Sequence, residues 1–338
     1  MPLKWKFVPC LFLLFTLQSP LTAQTKKPDR IEITGSVRND NGYRPRLKMP
    51  AFSENGPVIL LDEGHRNSPF NEGFARLAAA DGYQVRRSQS KFDTNLLREA
   101  NILVVLEPGV TGVKKSPSPA FTEEEATAVH DWIAGGGALL FTLNGFAAGP
   151  HSILSKLGVE FNPGVVVDDG ALGAFGPPGS VNFVFSGEQF LLASHKIILG
   201  RSAAEQVKKV VMGWGSMTII QTKPEGAASL LHCSEKAQFY PAWRQARAVA
   251  KSNGASSVHA GGFVRAPYAP IGIAFALGEG RVVVLGNARI TSAIIVRSNE
   301  TSSFGEYQSP RQEYEGLRQA DNQQFTLNVM HWLSRLME

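Results

Sequence analysis

Cysteine is nearly absent from this chain. Of 338 residues only two are cysteine, and Cys10 lies in the extreme N-terminal segment. The remainder holds Cys233 alone, which excludes an internal disulfide there even in an oxidising compartment. Stability must therefore come from a hydrophobic core, for which a content of 43% hydrophobic residues is ample. Runs of five or more Lys or Arg are missing and the formal net charge is only +5, so there is no electrostatic footprint for nucleic acid or an anionic membrane surface. No apolar run reaches the roughly 20 residues that a permanent membrane span requires. The Gly-x-Ser-x-Gly and Gly-x-Cys-x-Gly elbows of strand-end nucleophiles are missing as well. So are HExxH, HxH and paired-cysteine spacings, and no metal or cofactor is expected.

What is present begins with Lys4 and Lys6, an apolar run from Phe7 to Leu17, and a small residue at Ala23. This is the layout of a secretory signal peptide, residues 1–23. Its removal takes two lysines and no acids, lowering the formal charge from +5 to +3. The mature chain is then expected to be periplasmic or extracellular. Residues 24–55 are polar and broken by Gly and Pro, and read as a poorly ordered arm. From residue 56 to 338 the pattern is that of one α/β domain, with an unplaced insertion at about 237–261.

Val58 to Leu61 is a short buried strand opening into Asp62-Glu63-Gly64-His65, and helical spacing follows over Phe70 to Asp81. Further strands are expected from Tyr83 to Arg87 and from Ile102 to Leu106, the second ending at Glu107-Pro108. Thr122 with Glu125 matches a capping box opening a helix to Ala134. The Gly135-Gly136-Gly137 run ends that helix, and so cannot cradle a phosphate at a helix start. Ala138 to Leu143 is a fourth strand, delivering Asn144 at its exit. Further strands are expected at Val181 to Phe185, Val207 to Met212 and Met217 to Gln221. Ile271 to Leu277 and Arg281 to Leu285 form a hairpin across Gly278-Glu279-Gly280. An amphipathic helix from Asp321 to Leu336 closes the chain. Continuous apolar strands alternating with helices imply a mostly parallel sheet covered on both faces in three layers, with an antiparallel strand pair near the C-terminus.

In such a sheet ligands bind outside the C-terminal strand ends. The candidate pocket is therefore Asp62, Glu63, His65 and Asn67 after the first strand, Glu107 after the third, Asn144 after the fourth, and Asn287 with Arg289 after the last. These residues are expected to share one rim, provided that the last strand runs parallel to the first. Asp62, Glu63 and His65 bring carboxylates close to an imidazole, a pairing able to share a proton, although a solvated loop explains each member taken singly. Cys233, beside His232 on one strand, is expected to be inert because adjacent strand residues point to opposite faces.

The segments Val58-Ile-Leu-Leu-Asp-Glu-Gly-His65, Phe121-Thr-Glu-Glu-Glu followed by Trp132-Ile, Gly278-Glu-Gly-Arg-Val-Val-Val-Leu-Gly-Asn287 and Asn322-Gln-Gln-Phe-Thr-Leu-Asn-Val-Met-His-Trp332 together resemble an uncharacterised bacterial family of the class I glutamine amidotransferase-like superfamily. The resemblance covers most of the chain from about Gly56 and implies a flavodoxin-like fold. Relatives in that superfamily include amidotransferases and also non-enzymatic domains of transport and gliding assemblies. Amidotransferases need an elbow cysteine, and Asn144 stands at the matching position, so glutaminase activity is not implied. Two functions remain open: a non-catalytic binding or assembly module for a small molecule, sugar or envelope protein, and a hydrolase using Asp62, Glu63, His65 or Glu107 as acid and base on a sugar or amide.

Overall fold

The computed structural model describes residues 35–53, 55–109, 119–143, 151–161, 164–173, 182–189, 191–213, 218–241, 263–298 and 312–337. The chain from Glu32 to Glu338 forms one compact unit. Residues 1–34, with the expected signal segment and the first part of the arm, lie outside the described residues, as does Asn144.

In chain order the strands are β1 (Gly35–Asn39), β2 (Val58–Asp62), β3 (Gln84–Ser88), β4 (Ile102–Leu106), β5 (Ala138–Thr142), β6 (Glu160–Phe161), β7 (Val165–Val167), β8 (Leu172–Gly173), β9 (Asn182–Ser186), β10 (Lys209–Gly213), β11 (Ile220–Thr222), β12 (Ala228–His232), β13 (Gln238–Tyr240), β14 (Val264–Arg265), β15 (Pro270–Leu277), β16 (Gly280–Leu285), β17 (Ala293–Ser298) and β18 (Gln312–Gly316). The helices are α1 (Glu72–Ala80), α2 (Thr94–Arg98), α3 (Glu123–Ala134), α4 (Ser152–Lys156), α5 (Lys196–Leu199) and α6 (Asn322–Leu333).

Seven strands make the central sheet in the order β12-β15-β16-β5-β4-β2-β3. Pairing is parallel from β16 through β5, β4 and β2 to β3, and antiparallel for β12 and β15 at the other edge. Each central strand is apolar on both faces because both faces are covered. Leu61, Val104, Leu140 and Val283 pack on Phe74 and Ala78 of α1 and on Phe325, Val329 and Leu333 of α6. Their neighbours Leu60, Leu103, Leu139 and Val282 face the other way, onto Leu97 of α2, Val129 and Ile133 of α3, and Leu154 of α4. Period-2 alternation thus separates two cores, and each fully buried aliphatic side chain contributes about 1.5–3 kcal/mol.

α3 begins as the sequence implies. Thr122 accepts from the Glu125 backbone N–H at 3.2 Å, and the Glu125 carboxylate accepts from the Thr122 N–H at 2.9 Å, a complete capping box. The helix ends where the β15–β16 hairpin crosses it. A methyl group at Gly280 would run into the carbonyl oxygens of Ile133 and Gly137, so the close approach requires glycine.

Two sequence readings change. Part of the expected arm is ordered: β1 pairs antiparallel with β17 and Tyr43 is buried, because the outer sheet β1-β17-β18 needs a partner for the far edge of β17. The expected insertion contributes β13, which pairs with both β7 and β14 in a small antiparallel sheet, while residues 242–262 lie outside the described residues. Between Arg87 and Ile102 the chain forms α2, its N-cap Asp93 accepting from the Leu96 N–H at 2.8 Å, so this part of the fold runs β-α-β-α-β.

Gly280→Ala should lower unfolding stability by about 1–3 kcal/mol through overpacking. Gly187→Ala, where an added methyl meets nothing within 4 Å, should be close to neutral. Denaturant midpoints of the two variants check this, and equal effects would contradict the steric reading of the hairpin crossing.

Candidate functional site

Backbone hydrogen bonds stitch the C-terminal strand exits side by side. Leading out of β2, the His65 carbonyl accepts from Gly109 N–H at 2.9 Å, and Ser68 N–H donates to Leu106 O at 3.2 Å. Glu107 N–H, leaving β4, reaches Thr142 O of β5 at 3.2 Å, and Leu143 N–H, leaving β5, reaches Leu285 O of β16 at 2.7 Å. β16 is parallel to β5, so Asn287 and Arg289 leave from the same edge as Asp62 and Glu107. The turns are tight: Arg66 and Glu107 hold left-handed backbone at φ of 55° and 47°, a conformation costing roughly 1–2 kcal/mol for a residue with a Cβ.

His65 is the best-defined group on this rim. Its Nδ1 lies 2.8 Å from Asp62 Oδ1 and its Nε2 lies 2.8 Å from Glu125 Oε1. The ring packs against Phe92 and Phe121, with centroids 4.5 and 4.6 Å away. Asp62, fully buried, also accepts from Gly64 N–H at 3.1 Å and from the Asn67 amide at 2.9 Å. Glu125 accepts in addition from Phe92 N–H at 3.0 Å. Burial alone would lower the imidazole pKa, but the hydrogen bonds and charge of Asp62, and then those of Glu125, outweigh it and raise it. Burial likewise pushes the Glu125 carboxyl up, and the Thr122 N–H, His65 and the Phe92 N–H together hold it below the ordinary range. With a carboxylate on each ring nitrogen, His65 is an imidazolium brace between the β2 exit and the start of α3. It has no lone pair left to act as a base.

The remaining candidates are committed to other contacts. Glu63 turns toward the sheet edge, accepting from Arg87 at 2.6 Å and from the Asn71 amide at 3.0 Å, and Arg87 continues to Glu72 at 2.7 Å. Asn287 is fully buried and caps a short 3-10 turn, Ala288–Thr291, by accepting from Arg289 N–H at 2.7 Å. Arg289 pairs with Glu315 of β18 at 2.9 Å, joining the rim to the outer sheet. Glu107 is buried. Thus His65, Asp62 and Asn67 form one cluster, and Glu63 and Arg289 are drawn away from it by oppositely charged partners.

Two participants were not singled out from sequence as site residues. Glu125 appeared there only as a helix cap, and nothing in the 60 residues separating it from His65 signals their pairing. His151, just before α4, is buried, and among the described residues neither ring nitrogen has a hydrogen-bond partner. Desolvation, aided by the Arg66 charge, pushes its pKa down to about 4, so it is neutral near pH 7. Cys233 is fully buried, and that burial pushes its thiol well up, leaving no reactive thiolate. Among the described residues no cluster of three His, Cys, Asp or Glu is arranged to hold a metal ion, and no helix is long and apolar enough to cross a membrane.

No protein-family model matches the sequence, and no curated protein matches it either. Solved structures do. The mmIFT52 N-terminal domain aligns with 82% of this chain and 97% of its own at 13% identity, with a TM-score of 0.50. A ThuA-like protein from Bacteroides uniformis covers 86% of this chain and 94% of its own at 14% identity and a TM-score of 0.40. A GMP synthase homologue from Thermoplasma acidophilum covers 83% and 96% at 10% identity and 0.39. The likeness is one of fold.

Replacing His65 by Ala leaves two buried carboxylates facing each other without a cation, and should cost about 3–5 kcal/mol of stability. Because the folded-state pKa is raised above the unfolded 6.5, the brace stabilises fully below that value and weakens as pH climbs through the folded pKa. Chemical denaturation of both proteins across pH 6–9 should show the gap narrowing toward alkaline pH. A gap that widened would mean that the ring is neutral when folded.

Proposed function

We propose that the chain is an exported, non-catalytic binding or assembly module built on an amidotransferase-like fold, with the strand-end rim as its recognition surface. The single observation that carries this reading is the commitment of His65: a general base needs a free nitrogen, and both of its ring nitrogens are bonded to carboxylates. Glu63 is engaged by Arg87, and Cys233 is buried with a raised pKa. The fold shared with the mmIFT52 N-terminal domain is compatible with such a role and says nothing of the partner. The mature protein would start near Gln24 and meet a small molecule, a sugar or an envelope protein outside the cytoplasm.

The hydrolase reading retains one supporting feature, Glu107 on left-handed backbone at the exit of a central strand, since such strain concentrates at functional sites. Glu107→Gln separates the two. A panel of cell-wall fragments, oligosaccharides and amino acids is presented to the wild type and the variant, with binding and turnover both measured. Binding without turnover is the expected outcome. Hydrolysis of any panel member that falls at least ~100-fold in Glu107→Gln, the scale of a lost general acid or base, with the fold intact, would replace the binding reading by the enzymatic one.

Export is tested on the native-host protein by N-terminal sequencing. The first residue should be Gln24 or a near neighbour, and retention of Met1 on the soluble protein would refute it.

A further inference from the structure

His151 and His65 both pack against one phenylalanine. The Phe121 ring is 4.6 Å from His65 and 6.1 Å from His151, yet the two imidazoles have opposite electrostatic surroundings. His65 has a carboxylate on each nitrogen. His151 has an aromatic box: Phe121 preceding α3, Phe141 of β5 at 5.5 Å and Phe161 of β6 stacked at 5.5 Å, with Gly109 of the β4 exit beside it. Of the acids on α3, Glu124 is exposed and Asp131 pairs with His130 at 2.9 Å. Glu125 of α3 holds His65, Glu123 lies 3.9 Å from Lys156 of α4, and Glu160 of β6 accepts from Thr222. Glu107, at the β4 exit, has its own contacts. From the loop after β2 the charge that reaches His151 is the Arg66 guanidinium, which is of the wrong sign to stabilise an imidazolium.

A buried imidazole with both nitrogens unpaired is costly to keep, and a proton added to it in place would find a second cation nearby and, among the described residues, no acceptor. We propose that His151 is an acid-operated latch: protonation drives its ring out of the Phe121–Phe141–Phe161 box, releases the segment from His151 through α4 to Phe161, and uncovers Gly109 at the exit of β4. The His65 brace is less sensitive to the same acidification, since each of its ring nitrogens already faces a carboxylate and its partner Glu125 is held below the ordinary carboxylate range. The response is therefore local, with α3 and the β2 exit staying in place while α4 and β6 leave.

The sign follows from linkage. The closed form titrates at about 4 and an exposed histidine at 6.5, so the latch is closed above pH 6.5 and its opening becomes about tenfold more favourable for each pH unit below that. At pH 4 the opening constant should be roughly 100-fold larger than at neutral pH, with the slope flattening as the closed form itself begins to titrate. Other histidines respond elsewhere: burial, aided by Arg281, also lowers the pKa of His195, but its ring is against Trp332 of α6.

Amide hydrogen exchange of the full mature chain between pH 7 and 4, corrected for intrinsic rates, tests the latch. Residues 151–161 should open progressively below pH 6.5 while β2 and β4 remain protected, and His151→Phe, which fills the box with an apolar ring, should abolish the rise. An identical acid response in His151→Phe, or no local opening in the wild type, would overturn the proposal. Should the variant fail to fold, NMR titration of the His151 ring in the wild type decides. A pKa near 4 with exchange rising in 151–161 supports the latch. A pKa near 6.5, or titration at any pH without opening, refutes it. The measurement reads exchange, not binding, so its failure would leave the binding-module reading untouched.

Discussion

Parallel pairing of strands that are apolar on both faces is the constraint from which the rest of the molecule follows. Once β2, β4, β5 and β16 run the same way, neither face of the sheet can be left to water. α1 and α6 must cover one face and α2, α3 and α4 the other. The same pairing sends every strand exit to one edge, where residues far apart in sequence become neighbours. The rim is thus a consequence of topology before any chemistry is considered, and the backbone bonds from Gly109 to His65, from Glu107 to Thr142 and from Leu143 to Leu285 hold its exits in register.

Polar groups brought to such an edge must either find partners or remain costly, and both outcomes occur beside Phe121. Asp62, His65 and Glu125 satisfy one another so completely that a histidine beside two acids becomes a strut. Glu125 serves three backbone or side-chain donors and caps α3 at the same time, which couples the helix start to the loop after β2. His151, also packed against Phe121, is left among aromatic rings and stays neutral. Two residues of identical chemistry acquire opposite charge preferences because one environment supplies acceptors and the other supplies only desolvation.

The antiparallel additions distribute stability away from the rim. Arg289 anchors its turn to Glu315 in the outer sheet, and Asn322 of α6 ties Val211 of β10 to Gly316 of β18 through its amide. His331 of α6, 2.7 Å from Asp81, closes the opposite end of α1. Through these links the outer strands lean on the central sheet, while the rim itself carries the strained backbone of Arg66 and Glu107.

The central strands were legible in the amino-acid order because apolar runs bounded by Gly, Pro and polar residues are local signals; Ile102 to Leu106 and the capping box at Thr122 and Glu125 were read from the residues alone. β9 and β10, five residues each, fall where strands are expected, whereas β6, β7, β8, β13 and β14 are not legible, since two or three residues carry no period and their edges are set by partners distant in sequence. Within the polar arm, Gly35–Asn39 becomes a strand only because β17 offers it an open edge. Sequence order also determined that Asp62, His65 and Glu107 would leave strands at their C-terminal ends. Only the tertiary structure decided that Glu125 would pair with His65, that Arg87 would draw Glu63 away, and that His151 would be buried in a box of aromatic rings. Those outcomes depend on which side chains the folded sheet and helices bring within hydrogen-bonding reach, a property of three-dimensional distance that spacing along the chain does not encode.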